Sequence, residues 1–173
     1  MTELIRVRLR TLLWFILFPL LSIGLLPWWL HRQFDGPVVL HRSLRQWLGL
    51  WLIANGIGLT AWCVNLFNVN GRGTLAPFDP PTQFVAAGPY RYVRNPMMLG
   101  LLLILGGEAA LYESRAVWIY AFVLMAAAYG FVRCWEEPGL ERRFGEPYRA
   151  YKRVVPRWIP RRPFSRAKPP QTQ

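Results

Sequence analysis

Apolar residues in this chain are gathered into four long runs, and the stretches between them hold nearly all of the charges. The runs predict helices at about residues 11–30, 47–67, 97–112 and 117–135. A helix that crosses the hydrocarbon core needs roughly 20 mostly apolar residues. The first two runs reach that length without a charge, whereas the last two need their flanking residues to span. The pattern therefore predicts an all-α integral membrane protein with about four transmembrane helices and a short cytoplasmic helical segment towards its C-terminus.

Small residues recur along the second predicted helix, at Gly49, Gly56, Gly58 and Thr60. In a membrane, small side chains let two helix backbones approach closely, and such contacts are a main source of helix association. We therefore expect this helix to pack closely against another one. The third and fourth helices are joined by residues 113–116 alone, so we predict that they form an antiparallel hairpin.

The basic residues are concentrated on one side of this arrangement. With four helices, the N-terminus, the loop between the second and third helices and the C-terminal region share a side, and they hold 17 of the 21 Lys and Arg residues. The positive-inside rule places that side in the cytoplasm, so both termini are expected there. This distribution accounts for most of the formal net charge of +12 and argues against nucleic acid as a partner.

The chain reads as one membrane domain, residues 1–160, followed by a basic, Pro-rich tail, residues 161–173, for which we predict disorder. Within the domain, residues 71–96 form a long loop and residues 136–160 follow the last helix. The two cysteines are far apart, and no cluster of Cys and His has the spacing of a metal site. The sequence therefore predicts neither a disulfide framework nor a bound metal.

The long loop reads GRGTLAPFDPPTQFVAAGPYRYVRNP, and it exceeds the length of a simple turn. It combines glycines and prolines with Tyr90, Arg91, Tyr92 and Arg94. Such a loop can hold backbone groups and aromatic faces against a ligand. A surface loop whose Arg and Tyr side chains anchor at the lipid headgroups would have the same composition. From the residues alone, both interpretations stay open.

Two adjacent carboxylates, Glu136 and Glu137, follow the fourth helix at the expected membrane edge. Acids near a low-dielectric boundary are costly unless cations meet them. Pro138 suits the first turn of a following helix, and Gly145 predicts a break before another short helix. A binding segment and an interfacial amphipathic helix with solvated acids both fit this pattern.

Glu108 is an acid inside the third apolar run. An ionisable group within a membrane span is a functional candidate by default. Its place near the far boundary favours another interpretation, in which Glu108 is an interfacial acid paired with Arg115.

Two long motifs carry a resemblance to a known family. GPYRYVRNPMMLG, followed by EEPGLERRFGEPYRAYKRVVPRWIP, resembles the isoprenylcysteine carboxyl methyltransferase family, and in particular its short bacterial members. The motifs occur in order, flank the predicted hairpin and extend the similarity over about residues 72–160. The resemblance implies an integral membrane enzyme of the bacterial inner membrane, with S-adenosyl-L-methionine as its methyl donor.

The resemblance also implies a cofactor site at the cytoplasmic membrane edge, built from the long loop and the acidic segment. The residues that would bind the cofactor are Thr82, Gln83, Phe84, Val85, Tyr90, Asn95, Pro96, Met97, Met98, Glu136 and Glu137. Arg94 and Arg133 would position the substrate or a carboxylate.

Three positions depart from the family pattern. Asn95 stands where eukaryotic members have His, and its amide keeps hydrogen-bonding capacity. Met98 stands where most members have Tyr, which removes a hydroxyl group. Val132 lies four residues before the first acid, where the family has a substrate-binding Arg. The neighbouring cation is Arg133.

Together these features predict an enzyme that transfers a methyl group from S-adenosyl-L-methionine to a lipophilic acceptor, either a small molecule or a lipidated protein, among the membrane lipids. A carboxylate such as Glu136 can hold the ammonium group of the cofactor through a charge-assisted hydrogen bond. Two alternatives keep the enzyme class, namely N-methylation of a phospholipid headgroup and S-methylation of a thiol. An alternative of another class is a non-enzymatic membrane scaffold that binds anionic lipid.

Overall fold

The computed structural model describes residue 17, residues 20–70 and residues 86–161. Several predictions therefore lie outside the described residues. They concern much of the first helix, most of the long loop with Thr82 to Val85, and the tail beyond Arg161.

The secondary-structure elements of the described residues are all helices or helical turns. The helices and helical turns, in chain order, are a π-helical turn at Leu20–Leu25, α1 at Leu26–Phe34, α2 at Leu44–Asn70, a 3-10 turn at Gly88–Arg91, α3 at Pro96–Leu111, α4 at Arg115–Phe131, a π-helical turn at Val132–Glu136, α5 at Glu137–Phe144 and α6 at Glu146–Val154. The described residues include no β-strand, so the all-α prediction is confirmed for them.

Two stretches of helix are long and apolar enough to cross a membrane, Leu44–Phe67 and Arg115–Phe144. The second stretch is continuous because the π-helical turn joins α4 to α5 without a break, and at 30 residues it exceeds the thickness of a bilayer core. Helix α3 is apolar but shorter. The arrangement with four spans stays a prediction.

Helices α2 and α3 are packed backbone to backbone along a seam of glycines. A Cβ atom on Gly56 would lie 2.6 Å from the carbonyl oxygen of Gly100, and one on Gly49 would lie 2.6 Å from that of Gly107. Small residues at these positions therefore permit the contact, as the sequence indicated. The expectation is wrong for Gly58, because a Cβ atom there would meet nothing within 4 Å.

One end of the helix bundle comprises residues 31–46 and 108–118. We call it the opposite end, because it lies away from the end that holds the two sequence motifs. Ser114 caps α4 by accepting a hydrogen bond from the backbone N–H of Val117 at 3.1 Å. The Ser114 hydroxyl donates in turn to a carboxylate oxygen of Asp35, and the same oxygen accepts from the Ala116 N–H at 3.3 Å. These contacts join the end of α1 to the turn of the α3–α4 hairpin.

Glu108 does not form the expected pair with Arg115. Its Oε2 atom is buried and has no hydrogen-bond partner among the described residues. Arg115 is exposed at the start of α4. The interpretation as an interfacial ion pair is therefore wrong.

The other end of the bundle, called here the motif end, comprises residues 86–98 and 129–161. Gly145 separates α5 from α6 with φ +57°, a left-handed conformation that glycine adopts at no steric cost. This break turns α6 back, so that Tyr148, Tyr151 and Val155 form a small core. Residues 86, 140 and 144 pack against it. The C-terminal segment is thereby folded against the end of the long loop.

Candidate functional site

The last described residues, 156–161, form a non-helical segment with bends at residues 157–159, which we call the strap. The backbone N–H of Arg94 donates to the Pro156 carbonyl at 2.9 Å, and the N–H of Arg161 donates to the Tyr92 carbonyl at 3.1 Å. The Asn95 side-chain amide donates to the Arg157 carbonyl at 3.1 Å. The strap is therefore fastened along the residues that precede α3.

The carboxylate of Glu137 lies at the centre of a buried ion network. Its side chain is 3% exposed. Arg157 donates to both of its oxygens, from Nε at 2.9 Å and from Nη2 at 2.7 Å, and Arg94 Nη1 lies 2.8 Å from Oε1. Lys152 Nζ is 3.8 Å from Oε2. Both oxygens of Glu137 are engaged by protein cations, which makes this acid a structural link between the loop, the helix and the strap.

Arg157 contacts Glu137, and Lys152 contacts both Glu137 and Glu141. The hydrogen bonds to Glu137 raise the pKa of Arg157 above its ordinary value. Lys152 also forms a close hydrogen-bonded ion pair with Glu141. A buried carboxylate is stable only when such partners compensate its lost hydration, and here two guanidinium groups and one ammonium group supply the compensation.

Glu136 has a different environment from its neighbour. It is half-buried, and it makes no hydrogen bond or ion pair with any residue in the described ranges. The π-helical turn explains the contrast, because the N–H of Glu137 bonds to the carbonyl of Val132 five positions earlier. That geometry places Val132, which is 0% exposed, and Glu137 on the buried face. The carboxylate of Glu136 is left available to a ligand.

Tyr90 is buried where α2, the loop and α6 meet. Its ring packs edge-on against Phe67 with centroids 5.4 Å apart, and its hydroxyl hydrogen-bonds to Cys63. The Tyr151 hydroxyl donates to the Tyr90 carbonyl at 2.7 Å. Burial raises the pKa of Tyr90 far above its ordinary value. These contacts fix the 3-10 turn against the helices, and the proposed contact of this ring with the cofactor stays a prediction.

Burial likewise raises the pKa of Tyr148, to about 12. The charges of Glu137 and Glu136 contribute in the same direction, and a hydrogen bond with Arg94 opposes them. Tyr148 therefore lies close to both acids and stays neutral through the physiological range. Its position brings α6 into the same site.

Arg133 lies at the exposed rim of the motif end. Its Nη1 atom is 3.5 Å from the hydroxyl oxygen of Tyr129, whose ring stacks on Trp158 with centroids 6.2 Å apart. The guanidinium group of Arg157 lies 5.8 Å from the Tyr129 ring centroid. Arg133 is exposed, whereas Val132, at the position where the resembling family has its substrate-binding Arg, is fully buried.

The remaining predicted site residues are distributed along the start of α3. Asn95 is buried and uses its amide to hold the strap, Pro96 is buried at the first helical position, and Met97 and Met98 are half-buried. The structure thus brings Tyr90, Arg94, Asn95, Glu136 and Glu137 together at the motif end, while Thr82 to Val85 lie outside the described residues.

Three contributors were missed by the sequence interpretation, namely Arg157, Lys152 and Tyr151. The requirement that buried acids meet cations predicted a partner for the Glu pair, but it did not indicate which of the many basic residues would serve. Among the described residues, no group of three or more His, Cys, Asp and Glu side chains is arranged to hold a metal ion.

Comparison with known proteins identifies the family of this chain. No curated protein and no solved structure matches it. The family model for phospholipid methyltransferase matches residues 44–147, which is more than half of the chain and runs from the start of α2 into α6. That family shares a membrane methyltransferase superfamily with the isoprenylcysteine carboxyl methyltransferases, so the resemblance holds at the superfamily level and its carboxyl-methylating branch stays a prediction. The matched region contains the long loop, the α3–α4 hairpin and both acids of the site, and the chain belongs to the phospholipid methyltransferase family.

Proposed function

We propose that this protein transfers a methyl group from S-adenosyl-L-methionine to a lipophilic acceptor at the motif end. The observation that carries the proposal is the pairing of the family match with a half-buried carboxylate, Glu136, that no described residue engages. An unpaired acid beside a cation network is costly unless a ligand supplies the missing cation.

Some polar groups at the site have no partner in the described part of the chain. They suit the ammonium and carboxylate groups of the cofactor's amino-acid moiety. Glu136 offers a carboxylate to its ammonium group. Arg94 Nε and Trp158 Nε1 are buried donors without hydrogen-bond partners in the described part of the chain, and they suit its carboxylate. Buried donors are seldom left unsatisfied in native structures. The residues present therefore fit the cofactor that the family implies.

The chemistry asks the protein for alignment and exclusion of water. When bound, S-adenosyl-L-methionine supplies an electrophilic methyl carbon on a sulfonium. Glu136, Arg94 and Trp158 would hold this donor, which would supply the methyl group and leave as S-adenosylhomocysteine. An amine acceptor would give up one proton for each methyl group that it takes. The chain contributes by holding both reactants in line and by shielding them with the strap and α6. Arg133, exposed at the rim, is placed to bind an anionic group of the acceptor.

The amine of a phospholipid headgroup is the acceptor that the family match favours. A carboxylate acceptor is the second candidate, and the motif resemblance supports it. In either case the acceptor enters from the bilayer, and the polar cofactor enters from the aqueous side. The excess of basic residues at the motif end supports a cytoplasmic location for that side, in a bacterial inner membrane.

Calorimetric titration of the purified protein with S-adenosylhomocysteine tests the cofactor site. Glu136→Gln removes the charge and keeps the shape, and we expect affinity to fall about 10- to 150-fold, as for loss of a charge-assisted hydrogen bond. Glu146→Gln is the matched control, because Glu146 is exposed and paired with Arg149 and Arg153. Binding by Glu136→Gln equal to that of the parent protein contradicts the proposal.

A transfer assay with methyl-labelled donor separates the acceptors. Vesicles containing phosphatidylethanolamine and a prenylcysteine analogue are offered in parallel. Label that stays non-volatile after alkali, on the lipid or on its deacylated headgroup, indicates N-methylation, whereas label released as volatile methanol indicates a methyl ester. A folded protein that binds no S-adenosylhomocysteine and transfers no label is the result expected of a membrane scaffold.

A further inference from the structure

We infer that Arg157 is a positioning residue, which holds Glu136 in its binding orientation by fixing the adjacent Glu137. The inference rests on the proposed function, since it concerns the same cofactor site. Arg157 lies in the strap, beyond the residues that the family model matches.

The π-helical turn at Val132–Glu136 needs a restraint to persist. A π turn has poorer hydrogen-bond geometry than an α-helix and occurs mostly as an isolated bulge, often at a functional site. If the turn relaxed to α-helical geometry, one residue of register would be lost and the following side chains would rotate by about 100°. Glu136 and Glu137 would then leave their present faces. The register of this turn therefore decides which acid faces the ligand.

The bidentate contact of Arg157 supplies the restraint. Glu137 is the residue whose N–H closes the π turn on Val132, and it is also the acid that Arg157 grips with Nε and Nη2. A planar guanidinium paired with both carboxylate oxygens fixes orientation as well as distance. A rotation of Glu137 would break both hydrogen bonds.

The strap itself is anchored independently of this ion pair. The Asn95 amide holds the Arg157 carbonyl, and the backbone of Arg94 and Tyr92 holds the two ends of the strap. Arg157 is therefore presented to Glu137 from a fixed backbone. Arg94 reaches the same carboxylate from the loop, with Nη1 2.8 Å from Oε1, whereas Arg157 donates a hydrogen bond to each of the two oxygens.

The test compares three variants by calorimetric titration with S-adenosylhomocysteine, with melting temperature measured on the same samples. We expect Arg157→Ala to weaken binding by about tenfold or more, as for loss of a buried charged partner, and Arg157→Lys to lie between it and the parent. Arg153→Ala is the control, because Arg153 is exposed and pairs with the exposed Glu146. It should leave affinity unchanged.

Chemical rescue distinguishes positioning from a general loss of stability. Guanidinium ion at millimolar concentration should restore affinity to Arg157→Ala, because it can refill the site beside Glu137, and it should do nothing for Glu136→Gln. Restoration supports the inference. Weak binding by folded Arg157→Ala that guanidinium does not improve overturns it.

The failure of this inference is distinct from failure of the proposed function. If the parent protein does not bind S-adenosylhomocysteine, the proposed function is wrong. If the parent binds and folded Arg157→Ala binds equally well, Arg157 does not position the site. Should Arg157→Ala not fold, Arg157→Lys decides: lower affinity at an unchanged melting temperature supports the inference, and unchanged affinity overturns it.

Discussion

A carboxylate links separate segments at each end of this helix bundle, but the partners differ. At the opposite end, Asp35 accepts hydrogen bonds from the Ser114 hydroxyl and the Ala116 N–H, which are neutral donors at the start of α4. At the motif end, Glu137 is surrounded by the cations of Arg94, Arg157 and Lys152. The hydrogen bond from Ser114 lowers the pKa of Asp35, although burial partly offsets it.

The difference between these partners distinguishes a structural contact at the opposite end from a candidate ligand site at the motif end. At the opposite end, the carboxylate of Asp35 accepts hydrogen bonds from groups at the start of α4, and the N–H groups there need partners in any helix. These contacts do not indicate a ligand. The motif end instead buries charges of both signs and leaves Glu136 and Arg94 Nε without protein partners in the described ranges. Such an arrangement contributes little net stability, and it provides the groups that the proposed cofactor site requires.

The largest effect is expected from a test of whether the two ends face opposite sides of the membrane. Arg115 and Arg153 are exposed, one at each end. In a Cys134→Ser background, Arg115→Cys and Arg153→Cys should react with a membrane-impermeant maleimide from opposite sides, since we expect the long apolar helix Arg115–Phe144 to cross the bilayer. Labelling of both positions from one side would show that the ends are not separated by the membrane.

Neutralising the two linking carboxylates should affect stability unequally. Glu137→Gln leaves the half-buried guanidinium groups of Arg94 and Arg157 uncompensated, and we expect it to cost about 3 kcal/mol of unfolding free energy. Asp35→Asn removes the same charge beside neutral donors, and we expect a cost of about 1 kcal/mol. Unfolding in detergent micelles measures both variants. Equal losses would remove the distinction drawn between the two ends.

The glycine seam between α2 and α3 should matter similarly towards both ends. Gly56→Ala, nearer the motif end, and Gly49→Ala, nearer the opposite end, each place a methyl group against a carbonyl oxygen. We expect each to cost about 1–3 kcal/mol of unfolding free energy, as for overpacking.

Gly58→Ala is the matched control on the same helix. It meets open space, and its higher helix propensity should stabilise α2 by up to about 1 kcal/mol. If all three variants have the same stability, the helices are not in close contact at the seam.

A further test at the motif end concerns alkaline pH. The pKa of Tyr148 is raised from 10.0 to about 12, so between these values the unfolded chain loses this proton while the folded chain keeps it. Folding stability should therefore be unaffected below about pH 10 and should decline as pH rises towards 12. Melting temperature against pH measures the decline, and Tyr148→Phe should make it less steep. Tyr90 and Tyr151, whose pKa values burial also raises, contribute to the decline that remains.

At low pH, in the acid limb of the curve of melting temperature against pH, folding stability depends in part on Asp35 at the opposite end. Because the pKa of Asp35 is lowered, its contribution is present above the ordinary Asp pKa and is lost as pH falls through the folded value. Asp35→Asn should make the acid limb less steep and leave the alkaline limb unchanged. Part of the acid limb should remain, because hydrogen bonds with Arg153 and Arg149 also lower the pKa of Glu146. An alkaline limb that Asp35→Asn also alters would show that the two ends are coupled.

Much of the architecture followed from local pattern alone. Apolar runs of the right length predict the helices, small residues predict the α2–α3 contact, and Gly145 marks the break before α6. These features depend on each segment's own composition, since helix formation and burial in a membrane are decided over one or two turns of chain. The motif segments likewise indicated which parts of the chain would form the site.

Only the tertiary structure decided which residues of that site have a structural role and which are available to a ligand. Glu136 and Glu137 are identical side chains at adjacent positions, and only the register of the π turn makes one structural and the other available. Arg157 was one of many basic residues until the strap carried it to a carboxylate 20 positions away. Contacts of this kind depend on where several segments end in space, and the strength of a buried ion pair depends on geometry that no single segment contains.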